Sequence, residues 1–197
     1  MSRVAVLAAG GTGGHIFPAQ ALAEELTRRG WRVVLATDRR GDQYAHDFSA
    51  EERLALEAAT ASNPIQMVGA VFRILAGVVQ ARSAFARLKP SVVVGFGGYP
   101  SIPALLAAAT TGRPIIIHEQ NAVLGRSNRA LARYARKIAA AFPTLERVPA
   151  GLKDRIEVVG NPVRTDIQAL AKRTYNVGED RLHVLITGGS QGARILS

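Results

Sequence analysis

The sequence predicts an α/β fold, a Rossmann-like domain on a parallel sheet with helices on both faces, followed by the start of a second Rossmann-like domain. Three observations predict it. Short apolar, β-branched runs alternate with helix-length segments, the signature of βαβ units whose strands are buried on both faces. Three of those runs lead directly into glycine-rich loops. The chain has 197 residues, 48% of them hydrophobic and 20% charged, which suffices for one substantial core with a remainder.

The expected strands are Val4 to Ala8, Arg32 to Thr37, Ser91 to Gly95, Pro114 to His118, Lys137 to Ala141, Ile156 to Gly160 and His183 to Thr187. Helices fit at Pro18 to Arg29, Ile65 to Leu88, Pro103 to Thr111 and Leu124 to Arg136, with Pro18 and Pro103 placed as first-turn prolines. The run Gly160-Asn161-Pro162-Val163-Arg164 turns away from the first sheet, so a domain boundary is expected near Val163. Residues 1-163 then form the first domain and residues 164-197 the beginning of a second. One helix, one strand and one turn are too little to bury a core, so that second domain is expected to be incomplete.

Gly10-Gly11-Thr12-Gly13-Gly14-His15 follows a buried strand and opens a helix. Glycines there allow positive φ and close backbone approach, and a helix start carries about half a positive charge, so the loop suits phosphate or pyrophosphate. A tight turn without ligand is the plainer alternative. Gly95-Phe96-Gly97-Gly98-Tyr99 and Gly188-Gly189-Ser190-Gln191-Gly192-Ala193 repeat the arrangement, and in an open α/β sheet all such loops share the carboxyl edge where ligands bind. A dinucleotide fingerprint from Gly11 would need glycine or alanine where Ile16 stands, and a Walker loop would need a lysine that is missing. That disfavours a dinucleotide-dependent oxidoreductase; Asp38, a possible ribose ligand, reads as a turn cap.

Lysine and arginine total 25 against 15 acidic residues, a net charge of +10, which calls for an anionic partner. With 6% aromatics and no recognition module, nucleic acid is not expected to be that partner. Cysteine is absent, which fits a reducing compartment and removes thiolate metal sites. No leader pattern opens the chain, and no run approaches the roughly 20 apolar residues of a spanning helix, so any membrane role is expected to be peripheral.

Taken in order, Gly10 to His15, Gly97-Gly98-Tyr99, His118-Glu119-Gln120-Asn121, Gly160 to Arg164 and Gly188 to Ala193 resemble the MurG family. Its members are undecaprenyl-pyrophosphoryl-muramoyl-pentapeptide N-acetylglucosaminyltransferases of the two-domain fold called GT-B. The resemblance implies an inverting glycosyltransferase without cofactor, moving N-acetylglucosamine from UDP-N-acetylglucosamine (UDP-GlcNAc) to the C4 hydroxyl of lipid I. The product is lipid II of peptidoglycan synthesis. It further implies a peripheral location on the cytoplasmic face of the bacterial inner membrane. Thr12, Gly13, Gly14, Asn121, Arg164 and Ser190 match positions the family uses for UDP-GlcNAc. Gly10, Gly11, Gly97, Gly98 and Tyr99 match its acceptor-pyrophosphate side. The family's second domain also carries an Ala-Leu-Thr…Glu stretch not found before Ser197, so the alternative is a non-catalytic acceptor-binding half that pairs with a separate donor-binding chain.

Inverting transfer needs a base on the acceptor hydroxyl and stabilisation of the leaving diphosphate. His15, the only histidine in a glycine loop, is the candidate catalytic base; its alternative is a hydrogen bond to the loop or a phosphate. A helical zinc motif from His118-Glu119 would need histidine where Ala122 stands, so no metal is expected and the pair reads as the strand end that orients Asn121. Met67, Val68, Val71, Phe72, Ile74, Leu75, Val78 and Val79 form a wide apolar arc flanked by Arg73, Arg82, Arg87 and Lys89. The arc suits either an interfacial membrane patch or a buried helix. Arg126, Arg129, Arg133, Arg136 and Lys137 are expected on one helix face, suited to an anionic membrane surface or to solvent.

Overall fold

The computed structural model describes residues 3–43, 45, 48–59, 63–171, 173–174 and 184–186. Contacts divide the chain into two units, Met1–Arg164 and Thr165–Ser197.

In the first unit seven strands form one wholly parallel sheet: β1 (Val4–Ala8), β2 (Arg32–Thr37), β3 (Glu52–Ala55), β4 (Val92–Gly95), β5 (Ile115–Glu119), β6 (Lys137–Ala140) and β7 (Ile156–Val158). Their order is β3-β2-β1-β4-β5-β6-β7. The chain starts at β1, works outward to β3, then returns across β1 to β4, so the order reverses between β1 and β4. Crevices at such a reversal are where open α/β sheets bind ligands. Ala8 pairs with Gly95 there, which places the loops after β1 and β4 side by side.

Side-chain alternation builds two cores. Val6, Val34, Val93 and Ile117 face one layer with Phe85, Leu105 and Ile138, while Leu7, Leu35, Val94 and Phe96 face the other with Ile16 and Ala19. The first layer is covered by α3 (Pro64–Leu88), α4 (Ile102–Thr110) and α5 (Arg126–Leu131), the second by α1 (Gly13–Arg28). The short α2 (Arg39–Asp42) follows β2. At Asn63 a side chain caps α3 by accepting from the Gln66 amide at 2.8 Å, and Lys89 ends the helix at φ 47°. Midway, Gly77 lets α3 approach closely, since a Cβ there would lie 2.1 Å from the Glu57 carbonyl oxygen and 3.0 Å from Pro103.

Several elements differ from expectation. Helix α1 begins at Gly13 rather than Pro18, so the last glycines of the loop and His15 form its first turn and Pro18 lies inside it. The helix expected from Leu124 to Arg136 is only α5, continued by a 3-10 turn at Ala132–Tyr134. Lys137 already belongs to β6, so the basic residues after Asn121 do not share one helix face. Their exposure persists, with Arg133 stacked 4.7 Å over Tyr134 and Lys137 paired to Glu157 at 3.6 Å. Strands β5 and β7 are Ile115–Glu119 and Ile156–Val158, shifted and shortened from the expected spans.

The arc on α3 is solvent-exposed: Met67, Val68, Val71, Phe72, Leu75 and Val79 are all open, Phe72 at 68%. Those six residues are therefore not buried between the sheet and neighbouring elements, whereas Ile74 and Val78 are half-buried and Val78 packs on the core with Ala81, Phe85 and Leu88. Contrary to the expectation that no run is apolar enough, among the described residues α3 is the one helix long and apolar enough to cross a membrane by length and composition.

Within the second unit the structure describes α6 (Thr165–Leu170), which buries no residue, and a few positions beyond it. Val184, Leu185 and Ile186 are exposed and form no strand, contrary to the span expected over 183–187, because no described strand offers them a ladder. The loop over 188–193, and Ser190 with it, lies outside the described residues.

Candidate functional site

Two glycine loops meet at the carboxyl edge of β1 and β4. Gly98 adopts φ 74°, and a Cβ on it would stand 2.6 Å from the Gly10 carbonyl oxygen and 3.3 Å from His15 Cδ2. Gly97, at φ 92°, would place a Cβ 3.3 Å from His15 Cε1. The imidazole therefore lies directly over the Gly97-Gly98 backbone, in space that exists only because both residues lack side chains. Gly10 is packed beneath, its would-be Cβ 2.6 Å from Pro100, whereas Gly11 at φ 86° faces open space.

His15, Gly97, Gly98, Glu119, Asn121 and Asn128 contribute to the walls of one cavity of about 290 Å³. Thr12, Gly13, Gly14 and Arg164 are outside its lining. Thr12 is the N-cap of α1 and accepts the His15 amide on its carbonyl; no side chain caps that helix start. Arg164 lies 4.4 Å over the Phe17 ring. Tyr99 turns the other way, donating from its hydroxyl to Asp38 at 3.0 Å, and borders a larger cleft of about 570 Å³ with Arg39, Glu57 and Arg73. Asp38 caps α2 by accepting the Gly41 amide at 2.8 Å, the turn-cap role read from the sequence.

Glu119 ends β5 at 1% exposure with no cation paired to it among the described residues. Four donors satisfy its carboxylate instead. Oε1 accepts the Asn121 amide at 3.2 Å and Asn121 Nδ2 at 2.9 Å, while Oε2 accepts the Gly125 amide at 2.9 Å and Asn128 Nδ2 at 2.8 Å. One buried carboxylate thus ties the strand end to the loop that follows and to α5, and fixes Asn121 at the cavity wall. Asn128, itself 1% exposed, keeps its Oδ1 without a partner.

Beside it, His118 is buried against the Phe96 ring, with centroids 5.4 Å apart. Burial holds its pKa below the ordinary histidine value, outweighing the opposing pulls of the Gly160 carbonyl and the Glu119 charge. Its Nε2 lies 3.1 Å from the Gly160 carbonyl oxygen. Gln120 places Nε2 3.0 Å from His118 Nδ1 and 3.3 Å from the His118 carbonyl oxygen, and Oε1 3.2 Å from His15 Nδ1. Among the described residues no group of three or more His, Asp or Glu is placed to hold a metal ion.

Sequence reasoning reached His15, the loops and Asn121, and cast His118 and Glu119 as orienting residues. It held Gln120 only as part of the resemblance, without a role, and missed Gly125 and Asn128. A carboxylate at the carboxyl end of a buried strand was the available signal, because such a group has to collect donors from whatever loop follows it.

A parallel α/β sheet with glycine loops and a histidine at its switch point defines the class, an open α/β domain whose ligand crevice lies at one edge. Comparison with known proteins narrows that class. The chain belongs to glycosyltransferase family 28, whose N-terminal domain it matches over residues 5–140. A relative from Caulobacter vibrioides (strain NA1000 / CB15N) is 62% identical over 199 residues, covering 100% of this chain and 55% of the relative. A second, from Phenylobacterium zucineum (strain HLK1), is 56% identical, with coverage of 100% and 55%. Both carry the name UDP-N-acetylglucosamine--N-acetylmuramyl-(pentapeptide) pyrophosphoryl-undecaprenol N-acetylglucosamine transferase. Among solved structures, MurG of Acinetobacter baumannii matches with a TM-score of 0.67 and 31% identity, over 87% of this chain and 53% of that one. The MurG resemblance and the GT-B-type Rossmann-like fold drawn from the sequence both hold. The chain spans about half the length of the curated relatives it matches.

Proposed function

We propose that this chain supplies the acceptor-side half of an inverting transferase that moves N-acetylglucosamine from UDP-GlcNAc to the C4 hydroxyl of lipid I, forming lipid II. The observation that carries the reading is the placement of His15 over Gly97-Gly98, in one cavity with Asn121, at the switch point of the sheet. His15 is the base that takes the proton from the attacking hydroxyl. Backbone amides at the start of α1, which no side chain caps, stabilise phosphate charge without a metal. Gly10, Gly11, Gly97 and Gly98 belong to the acceptor-pyrophosphate side, from which the Tyr99 side chain turns away to Asp38; Thr12, Gly13, Gly14, Asn121 and Arg164 serve UDP-GlcNAc.

The exposed face of α3, with Arg73 and Arg82 beside it, rests on the anionic cytoplasmic surface of the inner membrane as an interfacial patch. Labelled N-acetylglucosamine transfer to a lipid I analogue, by a full-length protein carrying this chain as its N-terminal half, tests the function. Transfer in EDTA is expected. Absence of transfer with authentic substrates refutes the function, and abolition by EDTA with rescue by magnesium refutes stabilisation by amides.

A further inference from the structure

We propose that Gln120 and His118 are positioning residues that hold His15 in the tautomer protonated on Nδ1, with the Gly160 carbonyl as the fixed end of the chain. The inference rests on the reading of His15 as the base, and it names the atom that does the work.

One group in this series of contacts cannot change its role. A backbone carbonyl oxygen only accepts, so the His118 ring nitrogen facing Gly160, Nε2, carries a proton. Burial keeps that ring neutral, so its Nδ1 holds a lone pair and requires a donor. Gln120 supplies it, and the orientation of its amide is set twice over, because the NH2 faces both His118 Nδ1 and the His118 carbonyl oxygen. Turning the amide over would set an oxygen against two acceptors. Its Oε1 is therefore committed to the other side, where it meets His15 Nδ1. That nitrogen must donate, which leaves Nε2 of a neutral His15 as the lone pair available to a hydroxyl proton.

Four residues from three parts of the chain thus fix one proton. His15 sits in the first turn of α1, His118 and Gln120 at and just beyond the end of β5, and Gly160 after β7, at φ 79°. The other charged groups of the cavity do not compete for His15 Nδ1: the Glu119 carboxylate is taken by four amide donors, and Arg126 makes no hydrogen bond to the ring. Gln120 moves no proton and touches no substrate in this scheme; it acts through His15.

The test uses a full-length protein carrying this chain, labelled with ¹⁵N-histidine, His15 being assigned through its alanine variant. In the wild type with a neutral imidazole, Nδ1 is expected at the protonated shift and Nε2 at the unprotonated one. Gln120→Leu should give a mixed tautomer and a kcat at least about tenfold lower, with the KM for UDP-GlcNAc changed by less than about threefold. Gln120→Glu keeps an acceptor for His15 Nδ1 but sets its second oxygen against His118 Nδ1, which must then take up a proton, so the His15 tautomer should persist while the acid limb of the kcat profile moves. A residue that merely stabilises the fold moves neither the tautomer nor that limb. Protonation of His15 on Nε2 in the wild type overturns the inference, as does an unchanged tautomer in Gln120→Leu. An unchanged kcat in His15→Ala defeats the base assignment alone, because the tautomer is read without turnover.

Discussion

Replacing Glu119 separates two things that its carboxylate does at once, because its two oxygens serve different partners. Glutamine keeps one accepting oxygen and turns an NH2 toward the remaining donors. The cheaper orientation points that NH2 at Asn121, an exposed residue whose released donors water can satisfy, and keeps the bonds to Gly125 and Asn128. An unsatisfied buried donor costs about 1–3 kcal/mol, and water access puts Glu119→Gln at the low end, about 1 kcal/mol. Relief from desolvating a buried charge lowers the cost further. Glu119→Ala breaks the bond to the Gly125 amide, halves the bonding of the buried Asn128 Nδ2 and leaves a void, for about 3–4 kcal/mol. At about 2–4 °C per kcal/mol for a chain of this size, the melting temperature should fall by about 2–4 °C for glutamine and about 6–16 °C for alanine. Both variants release Asn121, so in a full-length protein both should weaken UDP-GlcNAc binding by calorimetry, about tenfold. Equal melting shifts for the two variants, or an alanine variant within about 1 °C of wild type, would refute the division of labour assigned to the carboxylate.

Other expectations follow from the same geometry. His118 has a folded pKa below its unfolded value near 6.5, so the unfolded state binds more protons in that window. Its stabilisation is complete above about pH 6.5 and is lost as the pH falls toward the folded value; urea titrations at pH 7.5 and 5.5 should show the loss in wild type and a smaller one in His118→Gln, and equal losses contradict it. Gly98→Ala combines a positive φ with a 2.6 Å clash against backbone and should cost at least about 2 kcal/mol, whereas Gly112→Ala, at φ 67° with nothing nearby, should cost about 1 kcal/mol; denaturant midpoints give the order. Phe72→Asp with Leu75→Asp removes exposed apolar surface and should lower binding to anionic vesicles at least about tenfold while leaving the melting temperature within about 2 °C, and undiminished vesicle binding detaches α3 from the membrane.

What the sequence conceals here is conditional on tertiary partners. Strands β1, β2, β4 and β5 were legible because each is a run of buried apolar residues flanked by turn residues. Strand β3, Glu52-Arg53-Leu54-Ala55, has no such run: it pairs only with β2 at the sheet edge, and its polar side chains reach outward, Glu52 to Arg87 and Arg53 to Asp42. Helix α5 ended earlier than its alanine-rich pattern suggested because the chain tightens into a 3-10 turn to bring Lys137 into β6. Glycine loops could be read since strand, glycines and helix are contiguous in sequence. The link between His15 and Gln120 could not, because 105 residues separate them and only the pairing of β1 with β4 and β4 with β5 brings them within reach.

A sheet whose strands all run the same way has two unlike rims. Three turns from helix back to strand, at Gly30, Lys89 and Gly112, emerge on the rim opposite the cavity, and each carries a left-handed residue just past its helix. That rim gives an experimenter an address. A fluorophore or spin label at Thr111, one residue before the open Gly112 turn, sits on scaffold that makes none of the hydrogen bonds converging on His15, so it can report tumbling or surface attachment without entering the chemistry.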